Sequence, residues 1–350
     1  MSRGASTFWV LWMAVGIAGT PVAMAAQAEP TTVPERVQPG RTRFDLDRPD
    51  IVAFVDHMAS VGMSRDEVFA VLAQAEPQPK IIDAMSKPAE KSLAWWEYRA
   101  RFLGDERIDA GARLWREHRE LLDAIAMERH VQPEYVLGII GVETYFGRLM
   151  GRYRVLDALS TLAFDYPARG EYFRRELEQF LLLGRDTELD PLTALGSYAG
   201  AMGAAQFMPS SYKNFAIDEA GGGHPNLWTN WADIFASVAN YLQQHGWVYG
   251  QPVLAEAALG SAPAPTMPAT ITLDTTLGAL RERGMQVTTD MDDTSPCLAI
   301  PVTLNSSVGY RVGFRNFYVI TRYNRSPLYA MAVNDLAQAI AARVLAADAP

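Results

Sequence analysis

The chain has one cysteine, Cys297, in 350 residues. That excludes an internal disulfide and any zinc site built on paired cysteines. A lone thiol away from any catalytic pattern reads as a small buried residue. Histidine is also sparse. His57, His118, His130, His224 and His245 show no paired metal-ligand spacing and read as structural or surface groups. There is no block of lysine and arginine, and the net charge is -9. Phosphate binding needs a basic surface, so no nucleic-acid partner is expected. Beyond the N-terminal region no segment reaches membrane-spanning length without charges. Internal repeats are absent, and no low-complexity tract stands out beyond a linker near residues 257–275.

What is present is ordinary for a folded globular protein: 49% apolar and 20% charged residues. The length allows a large core divided into two or three subdomains. Arg3 gives the N-terminus a short positive start, and Phe8 to Ile17 is an apolar run too short for a stable span. Ala23-Met24-Ala25 and Ala26-Gln27-Ala28 offer small-x-small cleavage sites. Residues 1–25 therefore read as a cleavable signal peptide, with an uncleaved anchor as the alternative. No cysteine follows the apolar run, so no lipid anchor is expected there.

Residues 26–43 are rich in proline, threonine and charge and read as a flexible mature N-terminus. Helical periodicity begins near Arg48, with Ile51, Phe54, Val55 and Met58 on one stripe. Ser64 and Glu67 form a capping box before Val68, Val71 and Leu72. Further helical runs fall in 91–127, Glu171 to Leu183, Ser237 to Gln244, and Pro327 to Leu345. Residues 196–211 are dense in small residues, which suits close backbone approach beside a ligand. Cys297 to Leu304 and Tyr310 to Thr321 read as strands joined by a turn at Asn305-Ser306-Ser307.

Gly141-Val142-Glu143-Thr144-Tyr145-Phe146-Gly147 is the segment that carries chemistry. Pro133 fits a first helical position, Glu134 suits the first turn, and Gly147 is a plausible stop. Val136, Ile140 and Glu143 then share one face. A carboxyl at the end of an apolar stripe is poorly solvated, which disfavours its charged form and suits a general acid. The plainer reading is a boundary residue that reaches water.

Taken together, the blocks along the chain resemble the lytic murein transglycosylase B family, bacterial enzymes with a lysozyme-like core that cut peptidoglycan glycan strands. The resemblance rests on residues 141–147 and on Gly196-Ser197-Tyr198-Ala199-Gly200-Ala201-Met202-Gly203. It continues through Gln206-Phe207-Met208-Pro209-Ser210-Ser211, Asn226-Leu227-Trp228, Ser237 to Leu242, Asn316 to Asn324, and Ser326 to Val333. It runs from about residue 45 to the C-terminus, and the joint order of the blocks is what makes it specific.

The resemblance implies a mainly α fold. Its parts would be a helical domain at 44–128 joined by the C-terminal helix 327–350, a lysozyme-like core at 129–250 completed by 315–330, and a small β-containing insertion at 251–314. It implies that Glu143 is the catalytic acid and base, and that Tyr98, Tyr172, Ser197, Gln206, Tyr241, Tyr323, Asn324 and Tyr329 line the glycan cleft. Tyrosine offers a flat apolar ring and a hydroxyl, and the amides of Gln and Asn both donate and accept, which fits sugars. It also implies cleavage between N-acetylmuramic acid and N-acetylglucosamine without water, giving 1,6-anhydromuramoyl ends in the periplasm. Glycan strands would be the substrate, with cell-wall synthesis proteins as further partners. Asp157, Asp165 and Glu171 are the candidates for a second carboxylate, since most glycosidases use two. A hydrolytic muramidase and a catalytically idle peptidoglycan-binding scaffold are the competing readings.

One departure from the family pattern concerns calcium. Residues 218–229 stand where the family often carries an EF-hand-like loop, which needs oxygen side chains at its first, third and fifth positions. These positions hold Asp218, Ala220 and Gly222. No metal or other cofactor is therefore expected, and the loop reads as a glycine-rich path without an ion.

Overall fold

The structure, a computed structural model, describes residues 42–86, 93–267 and 270–348. The expected signal peptide and residues 26–41 lie outside the described residues. The rest is mainly helical, with a two-stranded ribbon and one five-stranded antiparallel sheet.

The helix Pro133–Thr144 is at the centre. Pro133 begins it, where its missing N–H costs nothing. Every residue from Tyr135 to Thr144 is buried. The expected single apolar stripe is thus a helix enclosed on all sides, as in the core of a larger protein. It ends at Thr144 rather than at Gly147. Tyr145 and Phe146 both adopt left-handed backbone, φ 53° and 58°, and Gly147 follows at 78°. Two non-glycine residues in that region hold strain next to Glu143.

The terminal helix Pro327–Asp348 lies against this central helix. Two glycines make the approach possible. A Cβ on Gly138 would lie 2.8 Å from the Val333 carbonyl oxygen, and one on Gly141 would lie 2.8 Å from Leu336. Glycine inside a helix costs roughly 0.5–1 kcal/mol relative to alanine. Burying both helix faces against each other offsets it. The terminal helix is long and apolar enough to cross a membrane by composition, but 44% of its apolar window is buried inside the protein. It serves here as a core helix.

The N-terminal helices follow the sequence signals. Ile51, Phe54, Val55 and Met58 are buried on the helix Pro49–Ser60. Ser64 and Glu67 form both bonds of the capping box that starts Arg65–Leu72. One continuous buried cluster runs from Phe44 through the central helix to Val344.

The sheet contains Thr275–Thr276, Pro296–Thr303, Val308–Gly313, Leu254–Ala258 and Gln286–Val287, in that spatial order. It has its own small core of Ala255, Leu277, Leu280, Met285, Cys297, Val312 and Phe314. Cys297 is fully buried, and burial pushes its thiol up to about 11. Arg311 ties the sheet to the terminal helix through Asp335, at 3.0 Å.

The strand expected over Tyr310 to Thr321 holds only as far as Gly313. Residues Arg315–Tyr323 form a helix instead. The β-branched and aromatic residues there suggest a strand locally, but Asn316, Phe317, Val319, Ile320 and Tyr323 recur at helical spacing and are all buried. The long-range packing overrides local β propensity.

Candidate functional site

Glu143 occupies the last turn of the central helix and is 7% exposed. The Tyr329 hydroxyl donates to its Oε1 at 2.8 Å. Tyr329 comes from the first turn of the terminal helix, so the contact joins the two helices that Gly138 and Gly141 bring together. Burial, with the Glu143 charge next, raises the Tyr329 phenol well above its ordinary value. Tyr329 therefore stays a neutral donor.

Behind Tyr329 runs a stack of rings. Tyr323 lies nearly parallel to it at 6.5 Å, Tyr241 meets Tyr323 at 4.6 Å, and His245 stacks on Tyr241 at 4.1 Å. The Tyr323 hydroxyl donates to the Ala205 carbonyl at 2.5 Å, and the Tyr241 hydroxyl to the Arg322 carbonyl at 2.7 Å. Burial raises Tyr323 well above the ordinary phenol range, and it raises Tyr241 too, so both remain protonated donors. Burial lowers His245, which sits neutral at the end of the stack with its Nδ1 on the Tyr241 carbonyl.

The small-residue segment packs against this stack as a shaped loop. The ribbon Tyr153–Arg154 with Leu195–Gly196 carries the chain into it. Gly151 is at φ 98°, and a Cβ there would lie 2.0 Å from the Gly196 carbonyl oxygen, so only glycine fits. The Ser197 Oγ accepts from the N–H of Ala201 at 3.0 Å and of Ala199 at 3.3 Å, which closes the turn. The Thr144 hydroxyl, beside Glu143, donates to the Ala204 carbonyl at 2.8 Å and accepts from the Gly147 N–H at 3.0 Å. Thr144 and Tyr323 thus hold Ala204 and Ala205 directly before Gln206.

Gln206 has φ 50° and is 2% exposed. Its Nε2 donates to the carbonyls of Met150 at 3.1 Å and Gly203 at 2.9 Å, while its buried Oε1 accepts no hydrogen bond from the described residues. Asn324, also 2% exposed, accepts from the Ser326 N–H at 3.0 Å and leaves its Nδ2 without a partner among the described residues.

Of the residues singled out from the sequence, Glu143, Tyr329, Tyr323 and Tyr241 come together directly, with Gln206 one residue from the Tyr323 contact. Tyr98 lies within electrostatic reach of Tyr329 and packs between Trp95 and Phe102. The resemblance implies that Tyr98, Tyr323 and Tyr329 line the glycan cleft. All three are fully buried, because their rings pack on other rings behind the carboxyl. Tyr172 stands apart, half-buried on the helix Gly170–Asp186 beside Glu176.

The other carboxylates considered from the sequence are paired elsewhere. Asp157 bonds Arg154 at 2.8 Å and the Glu76 N–H at 2.8 Å. Asp165 bonds Arg48 at 2.5 Å, and the exposed Glu171 pairs with Arg175 at 2.6 Å. Sequence reasoning missed Thr144 and Arg107. Arg107 donates to the Gly141 carbonyl at 2.7 Å, with its guanidinium 4.5 Å over the Tyr145 ring. A cation at a helix C-terminus offsets the negative end of its dipole. The hydroxyl of Thr144 next to Glu143 was the available signal for the first. Nothing local marks Arg107, which lies 34 residues from its partner.

In the loop 218–229, Asp218 accepts from the N–H groups of Gly222 at 2.9 Å and Gly223 at 2.7 Å. Asp233 accepts from Ala220 at 3.0 Å and Asn226 at 2.8 Å. Two carboxylates therefore close this path through backbone N–H groups. Among the described residues no cluster of three or more His, Cys, Asp or Glu could hold a metal ion.

Residues 47–338 match the family model described as the transglycosylase SLT domain. The chain is 40% identical over 303 residues to the membrane-bound lytic murein transglycosylase B of Escherichia coli strain K12, covering 84% of this chain and 83% of that one. Among solved structures, the catenated lytic transglycosylase SltB1 of Pseudomonas aeruginosa is 44% identical with a TM-score of 0.80, over 85% of this chain and 98% of that one. The Escherichia coli lytic transglycosylase Slt35 in complex with calcium is 38% identical with a TM-score of 0.78, over 87% and 97%. SltB3 of Pseudomonas aeruginosa in complex with NAG-anhNAM-pentapeptide is 27% identical with a TM-score of 0.71, over 83% and 78%.

The contacts of Gln206 lead to a measurable expectation. Gln206→Ala removes two side-chain hydrogen bonds, each worth about 0.5–1.5 kcal/mol, so denaturant unfolding should reveal a loss of roughly 1–3 kcal/mol. Turnover per folded molecule should fall as well if Oε1 meets substrate. Normal turnover per folded molecule would make Gln206 purely structural.

Proposed function

Because the chain belongs to the family of transglycosylase SLT domains and is a peptidoglycan lytic transglycosylase, we propose that Glu143 alone carries both proton transfers of its reaction. The single observation behind this is the environment of that carboxyl. It is buried at the end of the central helix and held through Oε1 by a neutral phenol, whereas Asp157, Asp165 and Glu171 bond to arginines.

Glu143 first gives its proton to the glycosidic oxygen between N-acetylmuramic acid and N-acetylglucosamine, and that C–O bond breaks. The N-acetyl group of the muramic acid stabilises the cation at its anomeric carbon, a form of substrate assistance. The carboxylate left on Glu143 accepts a hydrogen bond from Tyr329, which favours the charged form at this stage. It then takes the proton of the muramoyl 6-hydroxyl, whose oxygen closes on the anomeric carbon. Glu143 recovers its proton, and the product is a 1,6-anhydro end. Water is not consumed. Thr144 keeps the Gln206 loop in register with the acid, and the buried Oε1 of Gln206 and Nδ2 of Asn324 are an acceptor and a donor suited to an N-acetyl or hydroxyl group. Ser197 shapes the loop. Tyr98, Tyr241 and Tyr323 support the site from behind, and Tyr172 contacts the glycan further along.

The rest of the reading follows from the substrate. Peptidoglycan lies outside the cytoplasmic membrane, so the apolar run Phe8 to Ile17 would export the chain, cleaved after about residue 25, to the periplasm without a lipid anchor. Glycan strands are the partner, and cell-wall synthesis proteins are further candidates. The chain would work without a metal, since Asp218 and Asp233 spend their oxygens on backbone N–H groups of the loop, and Ala220 and Gly222 offer no side-chain oxygen.

Two expectations follow. Millimolar calcium should leave the melting temperature unchanged, because only a ligand that binds the native state stabilises it. A rise reversed by chelator would restore calcium to the account. Glu143→Gln should keep the fold and glycan affinity while release of soluble muropeptides falls by roughly 10²–10⁴-fold or more. Near-normal release would remove Glu143 from the mechanism.

A further inference from the structure

A second concave site lies beside Tyr172. It is a cavity of about 380 Å³ lined by Tyr172, Arg175, Glu176, Gln179, Ser210, Lys213 and Asn214. Its chemistry differs from that of the carboxyl site. Glu176 is 3% exposed. It accepts from the Ser210 Oγ at 2.7 Å and N–H at 2.9 Å, and it is also bonded to Tyr172. This carboxylate is spent on the protein and acts as a fixed floor that sets the Tyr172 ring. The rim carries two exposed cations, Arg175 and Lys213, and two amides, Gln179 and Asn214.

Neither cation is committed. The Lys213 Nζ donates to a neutral amide oxygen, that of Gln179 at 2.8 Å, and lies within electrostatic reach of the exposed Asp186, which Arg185 already pairs. Arg175 pairs with Glu171, a carboxylate 82% exposed. Exposed pairs of this kind are worth little, so exchanging the partner for an incoming carboxylate costs little. Amide side chains that donate and accept match peptide groups. The rim is thus built for an extended ligand that carries amides and a carboxylate, not for a neutral sugar.

Two arginines link the site to the segment of Tyr323 and Asn324. The Arg169 guanidinium lies 4.5 Å over the Tyr172 ring and within electrostatic reach of Arg325, the residue after Asn324 and two after Tyr323. One relative of the same fold is in complex with a disaccharide that carries a pentapeptide. We propose that the Tyr172–Lys213 cavity receives the peptide substituent of the glycan, with Lys213 and Arg175 on a peptide carboxylate and Gln179 and Asn214 on its amides. This rests on the glycan-cleaving reading and deepens it, because it makes the peptide a determinant of rate.

The test compares two substrates: purified strands bearing their peptides, and the same strands stripped of peptide by an amidase. The exchanges Lys213→Gln and Arg175→Gln together should lower kcat/KM on peptide-bearing strands by roughly three- to tenfold. On stripped strands kcat/KM should change much less, so the preference for peptide collapses. Lys213→Arg, which keeps the charge, should retain most of that preference. Both exchanged residues are exposed, and an unchanged melting temperature verifies the fold. Equal losses on both substrates, or no loss on either, would overturn the proposal. If the wild type released hydrolytic rather than anhydro ends, the reaction would be misread, yet the ratio between substrates would still report on the cavity.

Discussion

The hydrogen bond from the Tyr329 hydroxyl to Glu143 Oε1 is the contact on which the rest of the structure depends. It spans 186 residues of sequence and joins the ends of two helices that pack without space for a Cβ at Gly138 and Gly141. If the terminal helix shifted, the donor would leave the carboxyl, so the close packing upstream is also what orients Glu143. A tyrosine suits this position better than a cation. Its bond steers the carboxyl and favours the charged state only modestly, whereas an adjacent arginine would hold it ionised throughout. The proposed role of Glu143, giving a proton and then taking one back, needs neither state to dominate.

The same economy recurs around it. The ring stack Tyr329–Tyr323–Tyr241–His245 is apolar in its bulk but ends in hydroxyls that reach backbone carbonyls of the Gln206 loop and of the helix Arg315–Tyr323. Thr144 reaches the same loop from the other side. The left-handed residues Tyr145, Phe146 and Gln206 sit between these anchors, so strain in the backbone is held by fixed side chains next to Glu143. Asp218 and Asp233 close the 218–229 path in the same manner, with carboxylates on N–H groups.

Much of this was legible in the sequence wherever the signal was local. The capping box at Ser64, the proline at the start of the central helix and the amphipathic runs have short-range causes, and the helices begin where these signals lie. The block order carried the fold and the activity to the lytic transglycosylases. What failed had long-range causes. Phe314 to Thr321 has strand-like composition but folds as a helix because tertiary packing selects its 3.6-residue spacing. Tyr329, Tyr323 and Tyr241 gather at Glu143 while Tyr172 stands apart, and the burial of each depends on what packs over it, which no single segment reveals. Glu176 was invisible for the same reason. It lies on the buried side of an amphipathic helix, and its partner Ser210 is 34 residues away.

The central claim is that one carboxyl moves a proton out and back while the muramoyl 6-hydroxyl, not water, attacks the anomeric carbon. Digestion of purified sacculi in water enriched in oxygen-18, followed by mass spectrometry of the released muropeptides, tests it most directly. The account predicts anhydro ends that lack one water and carry no heavy oxygen. New reducing ends labelled with oxygen-18 would contradict it and make the enzyme a hydrolase.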